Sequence, residues 1–240
     1  MDMPTEIQHQ QMGYDRTSTM FSPDGHLLQV EYAEKTVRLG SSSVGMVCSD
    51  GIFIVSDKRI RDKLVVPESA NKIYEIDSHI FASVAGIMSD ARVLIDRVQV
   101  LAQQNMLTYD SPIEPELVIK EIANVQQQFT QYGGGRPFGV SIMVAGINEN
   151  KSELFVSDIT GNYFSYFANA IGEDDELIRE KLREDYKRDL DLKKGIKLAL
   201  KILEEVKGDK FKIENMELSY IKKNDDKIVR LNGKEIKDIN

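Results

Sequence analysis

Residues that carry reactive or ligand-binding chemistry are scarce in this chain. One cysteine, Cys48, stands among 240 residues. It lies in an apolar, strand-like run and cannot close an intramolecular disulfide, so burial is expected of it rather than reactivity; a reducing cytoplasm fits. The three histidines, His9, His26 and His79, are scattered and none stands in a metal-ligand spacing, so neither a metal site nor a cofactor is expected. No run of about 18 apolar residues occurs, and Met1 to Met12 is polar without a signal-peptide core, which leaves membrane spanning and secretion unsupported. The phosphate-loop pattern G-x-x-x-x-G-K-[ST] is missing. The glycine-rich stretch Tyr132-Gly133-Gly134-Gly135-Arg136-Pro137 follows a helix rather than opening one, which speaks against a phosphate cradle. Positive charge is also in deficit: Lys+Arg 31 against Asp+Glu 39 gives a net charge of -8, unfavourable for nucleic acid.

What is present suits a compact fold. Hydrophobic residues make up 41% of the chain, and the sixteen glycines and six prolines form no low-complexity tract, so a sizeable core is expected and disorder is not. The turn Ser22-Pro23-Asp24-Gly25 leads into a helix running to about Arg38 and stopping near Gly40, where a left-handed residue would close the last turn. That helix is apolar on two sides. Leu27, Val30, Ala33 and Val37 share one arc while Leu28 and Tyr32 sit opposite, and a single domain covers only one side, leaving the other for a second copy.

Next come two strands, Ser43 to Cys48 and Gly51 to Ser56, joined through an Asp-Gly hairpin signal. The second is continuously apolar, which predicts burial on both faces. A charged stretch, Lys58 to Ser69, leads to a strand pair at Lys72 to Ile76 and Ile80 to Ala85. The period then changes to helical from Ser89 to about Met106. Ser111-Pro112-Ile113-Glu114 reads as a capping box with proline at the first helical position; its helix would bury Val118, Ile122, Val125 and Phe129. Strands follow at Phe138 to Ile147 and Ser152 to Ser157 with a hairpin near Gly161. Two more helices, about Asp174 to Tyr186 and Leu192 to Val206 with Asp191 as cap, precede a last strand pair at Met216 to Lys222 and Lys227 to Arg230. This order fits neither alternating βα units nor two separate domains. Two mainly antiparallel sheets stacked face to face, each covered by helices outside, satisfy it.

The stretch Tyr14-Asp15-Arg16, followed by F-S-P-D-G-x-L-x-Q-V-E-Y-A from Phe21 to Ala33, closely resembles the N-terminal signature of proteasome α-type subunits, the archaeal form most of all. The likeness extends down most of the chain. It implies an α+β fold, the four-layer αββα sandwich of N-terminal-nucleophile hydrolases with an extra N-terminal helix. It further implies a gating tail over residues 1–13, which sequence physics alone reads as a frayed terminus, and one domain over residues 14–240, with the α-type signature and helix at 14–40.

A self-processing threonine- or serine-type peptidase is the main alternative. Beside catalytic β-type subunits, Ser41 falls where they free a threonine, and Asp57 and Lys72 fall where they keep an acid and a lysine. Chemistry argues against it. A hydroxyl of this class needs the α-amine freed by cleavage as its base, and cutting Gly40 from Ser41 would remove the Tyr14 to Tyr32 signature. Near Gly172, where catalytic subunits carry an assisting serine, this chain has Glu173-Asp174-Asp175. A non-catalytic role is expected. A scaffold that uses this fold for unrelated assembly is the third reading.

By resemblance, Lys72 lies in a pocket between neighbouring subunits with Gly40, Gly86, Ile87 and Met88, and pairs with the C-terminal carboxylate of a regulatory AAA-type ATPase whose tail reads hydrophobic-Tyr-any residue; on physics alone, one lysine is more often solvated surface. Tyr14, Asp15, Pro23 and Tyr32 form the cluster that holds an open gate. Tyr132, Gly133, Gly134, Gly135 and Arg136 resemble the family loop that narrows the axial channel for unfolded protein in transit; physics alone reads an ordinary αβ connection there equally well. The implied assembly is a homo-heptameric α ring on β-type subunits, active in protein degradation, without nucleic acid or membrane. Three departures stand out: Gly135 replaces a bulkier residue, Phe138 a more familiar tyrosine, and Thr17-Ser18-Thr19 is more polar than the pattern.

Overall fold

The computed structural model describes residues 12–60, 62 and 64–237. In chain order the elements are α1 (Leu28–Leu39), β1 (Ser43–Val47), β2 (Gly51–Asp57), β3 (Ile73–Asp77), β4 (Ile80–Gly86), α2 (Met88–Tyr109) and α3 (Pro115–Gln131). Then follow β5 (Val140–Asn148), β6 (Lys151–Ser157), β7 (Tyr163–Tyr166), β8 (Ala168–Ile171), α4 (Asp175–Asp185), α5 (Leu192–Lys207), β9 (Met216–Lys222), β10 (Asp225–Asn232) and α6 (Gly233–Lys237). The strands form two five-stranded sheets, in the orders β10-β9-β2-β1-β8 and β3-β4-β5-β6-β7. Neighbours pair antiparallel throughout, as the central pairs β2 with β9 and β4 with β5 illustrate.

The pleat assigns each sheet two buried faces. Along β2, Ile52 and Ile54 point into the layer between the sheets, while Phe53 and Val55 point outward against Ile178, Leu182 and Leu203 of α4 and α5. Along β4, Phe81 and Ala85 face the other sheet, and Ile80, Ala82 and Val84 face Leu94, Ile95 and Ile122 of α2 and α3. A strand with both faces covered has no place for a polar alternation, which is why β2 reads as one apolar run. The result is four layers, helices outside and sheets inside, with α1 adding Val30, Ala33 and Val37 to the layer between the sheets.

Several local expectations are corrected. Gly40 is extended, φ -69°, rather than left-handed. Its reason for being glycine is contact: a Cβ there would collide with the amide nitrogen of Gly86, and a Cβ on Gly86, at φ +121°, would collide with the carbonyl of Gly139. Three backbones meet where side chains do not fit. The capping box does not open α3, because Ile113 is drawn into the core at 1% exposure and its carbonyl accepts from His79 Nε2 at 2.8 Å. The helix starts after it, with Pro115 in its first turn. Phe129 stays 38% exposed. On α1, Leu28 is buried within the chain itself. The preceding segment folds back onto the helix, Gln29 Nε2 donating to the Asp15 carbonyl at 2.5 Å, so that side is less bare than its pattern predicts. β8 and α6 were not legible. Asp191 caps α5 as expected, accepting from the Lys194 amide at 2.8 Å.

Candidate functional site

Lys72 sits just before β3, held by the Glu217 carboxylate of β9, which accepts from the amides of Lys72 (2.5 Å) and Ile73 (3.1 Å). It is buried, not solvated. Its Nζ donates to the Ser41 carbonyl at 2.5 Å and Ser41 Oγ at 3.0 Å, with Ser43 Oγ at 3.4 Å. It lies at the floor of a pocket of about 570 Å³ that Gly40, Gly86, Met88, Tyr74 and Arg92 also line. Four of the five residues expected of the docking site thus share one cavity. Ile87 does not join them: its amide donates to the Gly139 carbonyl at 2.9 Å and its side chain lies against Gly139.

The electrostatics of this pocket are unusual for a lysine. Burial pulls the Lys72 ammonium down to about 7 against the opposing pull of Asp57 and Glu217. Burial likewise lifts the Glu217 carboxyl to about 7, although the Lys72 amide, Lys58 and Lys72 pull the other way. Lys58, Arg59 and Arg92 line the same cavity, so a carboxylate or other small anion meets a predominantly cationic wall.

The position matching a nucleophile is occupied structurally. Ser41 is joined through its peptide nitrogen to Gly40, and its hydroxyl donates to the Asp57 carbonyl at 2.6 Å. No α-amine stands there to act as base. The Lys72 ammonium beside it is spread over three oxygens. The acids nearby are neutralised by cations: Asp57 Oδ2 accepts from Lys207 Nζ at 2.9 Å, and Glu173 pairs with Arg59 and, at 3.5 Å, with Lys207. Burial would raise the Glu173 pKa, but the Arg59 hydrogen bond and charge hold it below the usual range. Glu173 therefore closes an ion-pair brace where an assisting hydroxyl would otherwise stand.

The residues expected to form a gate lie along one segment. Tyr14, Asp15 and Tyr32 are half-buried and Pro23 is exposed, in a turn closed by Ser22 N–H to the His26 carbonyl at 2.9 Å. The loop expected to narrow an axial channel leaves α3 at Tyr132, which is 70% exposed. Phe138 lies edge-on to Phe129, ring centroids 4.7 Å apart, so this departure from tyrosine packs inside the chain. Two contacts hold the loop. Arg136 grips Asp90 of α2 with both terminal nitrogens, at 2.6 and 2.7 Å, and Ser18 Oγ donates to the Gly135 carbonyl at 2.9 Å. Sequence reasoning misses Asp90, Arg92 and Ser18 as site residues; only the polar departure at 17–19 hints at the last.

Comparison with known proteins gives this geometry a family. A model of the proteasome subunit matches residues 37–221, and a model of the A-type N-terminal signature of proteasome subunits matches residues 14–35. The chain is 41% identical to the proteasome alpha subunit of Methanosarcina acetivorans over 94% of this chain and 92% of that one. The corresponding protein of Pyrococcus horikoshii is 43% identical, over 94% and 86%, and that of Methanocaldococcus jannaschii 42%, over 93% and 85%. The chain belongs to the proteasome subunit family. Within the family it carries the α-type signature, and it is a non-catalytic subunit of the core particle. That signature lies upstream of Ser41, so the self-processing alternative is set aside: cleavage before Ser41 would discard it. Membership implies assembly into proteasome rings with β-type subunits. No helix among the described residues is long and apolar enough to cross a membrane.

Proposed function

We propose that this chain forms a homo-heptameric outer ring that gates the admission of unfolded protein to a proteolytic chamber. Its Lys72 pocket receives the C-terminal carboxylate of a regulatory AAA-type ATPase ending in hydrophobic-Tyr-any residue. The observation that carries this reading is the convergence of Lys72, Gly40, Gly86 and Met88 on one cationic cavity. A terminal carboxylate matches it in charge, and a chain end is slender enough to enter it. Tyr14, Asp15, Pro23 and Tyr32 then hold the open gate between neighbours, and the loop 132–136 lines the channel. The gating tail of residues 1–13 falls almost wholly outside the described residues. The cytoplasm is the proposed compartment, in keeping with a lone, buried cysteine.

The test uses rings assembled with a β-type partner and a fluorogenic peptide. Lys72→Ala should abolish stimulation by the ATPase while leaving ring assembly intact; stimulation at the wild-type level would remove Lys72 from the anchor role. Deletion of Met1 to Met12 should raise unstimulated peptide hydrolysis, and unchanged hydrolysis would count against a gate.

A further inference from the structure

We infer that Asp90 and Arg136 are a positioning pair that couples the docking pocket to the axial loop, with Ser18 passing the loop's position to the N-terminal segment; this rests on the docking reading above. Asp90 is the third residue of α2, whose first two residues, Met88 and Ser89, line the Lys72 pocket. Its carboxylate is 10% exposed and takes three donors: Arg136 Nη1 at 2.6 Å, Arg136 Nη2 at 2.7 Å and the Gly139 amide at 2.9 Å. A two-pronged guanidinium–carboxylate contact fixes orientation as well as distance. Burial would raise the carboxyl pKa, but the Arg136 and Gly139 bonds outweigh it and keep the group ionised.

The rest of the path is equally direct. The Gly139 carbonyl accepts from the Ile87 amide at 2.9 Å and from Thr36 Oγ1 of α1 at 3.0 Å, so the end of the axial loop is stitched to the helix start beside the pocket. One residue before Arg136, the Gly135 carbonyl accepts from Ser18 Oγ, and Ser18 is buried only three positions after Asp15. Just before these ties, a Cβ on Gly133 or Gly134 would meet nothing within 4 Å. A loop open elsewhere but clamped at residues 135 and 136 moves with its clamps. A ligand that shifts the Met88–Ser89 turn of α2 therefore shifts Asp90, Arg136 and the segment ending at Ser18. Gly135 and Ser18 belong to two of the three departures from the α-type pattern, and they meet through the Ser18 hydroxyl and the Gly135 backbone carbonyl.

The experiment separates binding from response. Wild-type, Asp90→Asn, Arg136→Lys and Ser18→Ala chains are assembled with the β-type partner and titrated with a synthetic peptide ending Leu-Tyr-Ala with a free carboxylate. Peptide affinity and fluorogenic hydrolysis at saturating peptide are both recorded. The expected result is affinity within about twofold of wild type in every variant, and stimulation at saturation reduced about fivefold or more, the lower end of measured coupling between sites. The Asp90→Asn/Arg136→Lys double variant should be no worse than either single one, as for residues that act as one unit. Arg136→Lys keeps the charge and Ser18→Ala removes one hydroxyl, so loss of folding does not explain a common effect. Wild-type stimulation in all three single variants, with binding intact, would overturn the coupling alone. Failure of the peptide to bind wild-type rings would overturn the docking reading and the coupling with it.

Discussion

The charge state of Lys72 makes the proposed docking step sensitive to pH near neutrality. Its pKa, lowered to about 7, leaves the ammonium charged below that value and neutral above it. Glu217, raised to about 7, is neutral below and anionic above. Both changes favour an incoming carboxylate at the lower pH. Tail-peptide affinity should therefore tighten by about tenfold from pH 8 to pH 6, the factor that goes with a one-unit shift of a single group. Isothermal titration across that range checks it. Lys72→Met should flatten the profile and Glu217→Gln should shallow it; a flat wild-type profile would mean that Lys72 keeps its proton throughout. Cys48 has the opposite character. Burial pushes its thiol up to about 12, with Asp50 and Asp191 adding to the effect, and it stays a small apolar residue in the layer under α5.

At the scale of elements, the ends of helices carry more information than their middles. Asp191→Ala removes the side-chain cap of α5, which should cost about 1 kcal/mol and lower Tm by about 2–4 °C in a domain of this size; thermal unfolding of the isolated chain reads it. Gly86→Ala should be more damaging, because a Cβ there meets the Gly139 carbonyl at a left-handed φ. This change should lower the yield of folded chain, whereas Gly25→Ala, with open space around it, should meet only the conformational cost. Both continuous strands and amphipathic helices were legible in the sequence, since burial on two faces or on one stripe leaves a period of its own. The signature segment marked the family. What could not be read were features fixed by distant partners: the extended Gly40, the displaced start of α3 and the short β8, whose four residues pair with β1. The site was legible by likeness only. Nothing in the local pattern around Lys72 or Asp90 says that one is buried over serine oxygens and the other holds Arg136.

At the scale of the whole molecule, the exposed apolar residues argue that the chain is unfinished alone. Strand β7 ends its sheet with one edge unpaired, and its Phe164 is 63% exposed, with Phe167 beyond it at 50%. Leu39 at the end of α1 is 78% exposed and Leu107 near the end of α2 is 87% exposed. A bare edge with aromatic side chains invites pairing or aggregation unless a partner covers it. These residues lie on different elements, as a ring protomer needs if it meets one neighbour through one surface and the next through another, the arrangement that closes a ring. Phe164 contributes to none of the three buried clusters, so covering the β7 edge is expected to matter for assembly rather than for folding. Phe164→Glu should leave the circular dichroism spectrum of the chain unchanged and shift native mass spectra from seven-copy rings to smaller species. Intact rings from this variant would place the contact between copies elsewhere and leave β7 facing solvent.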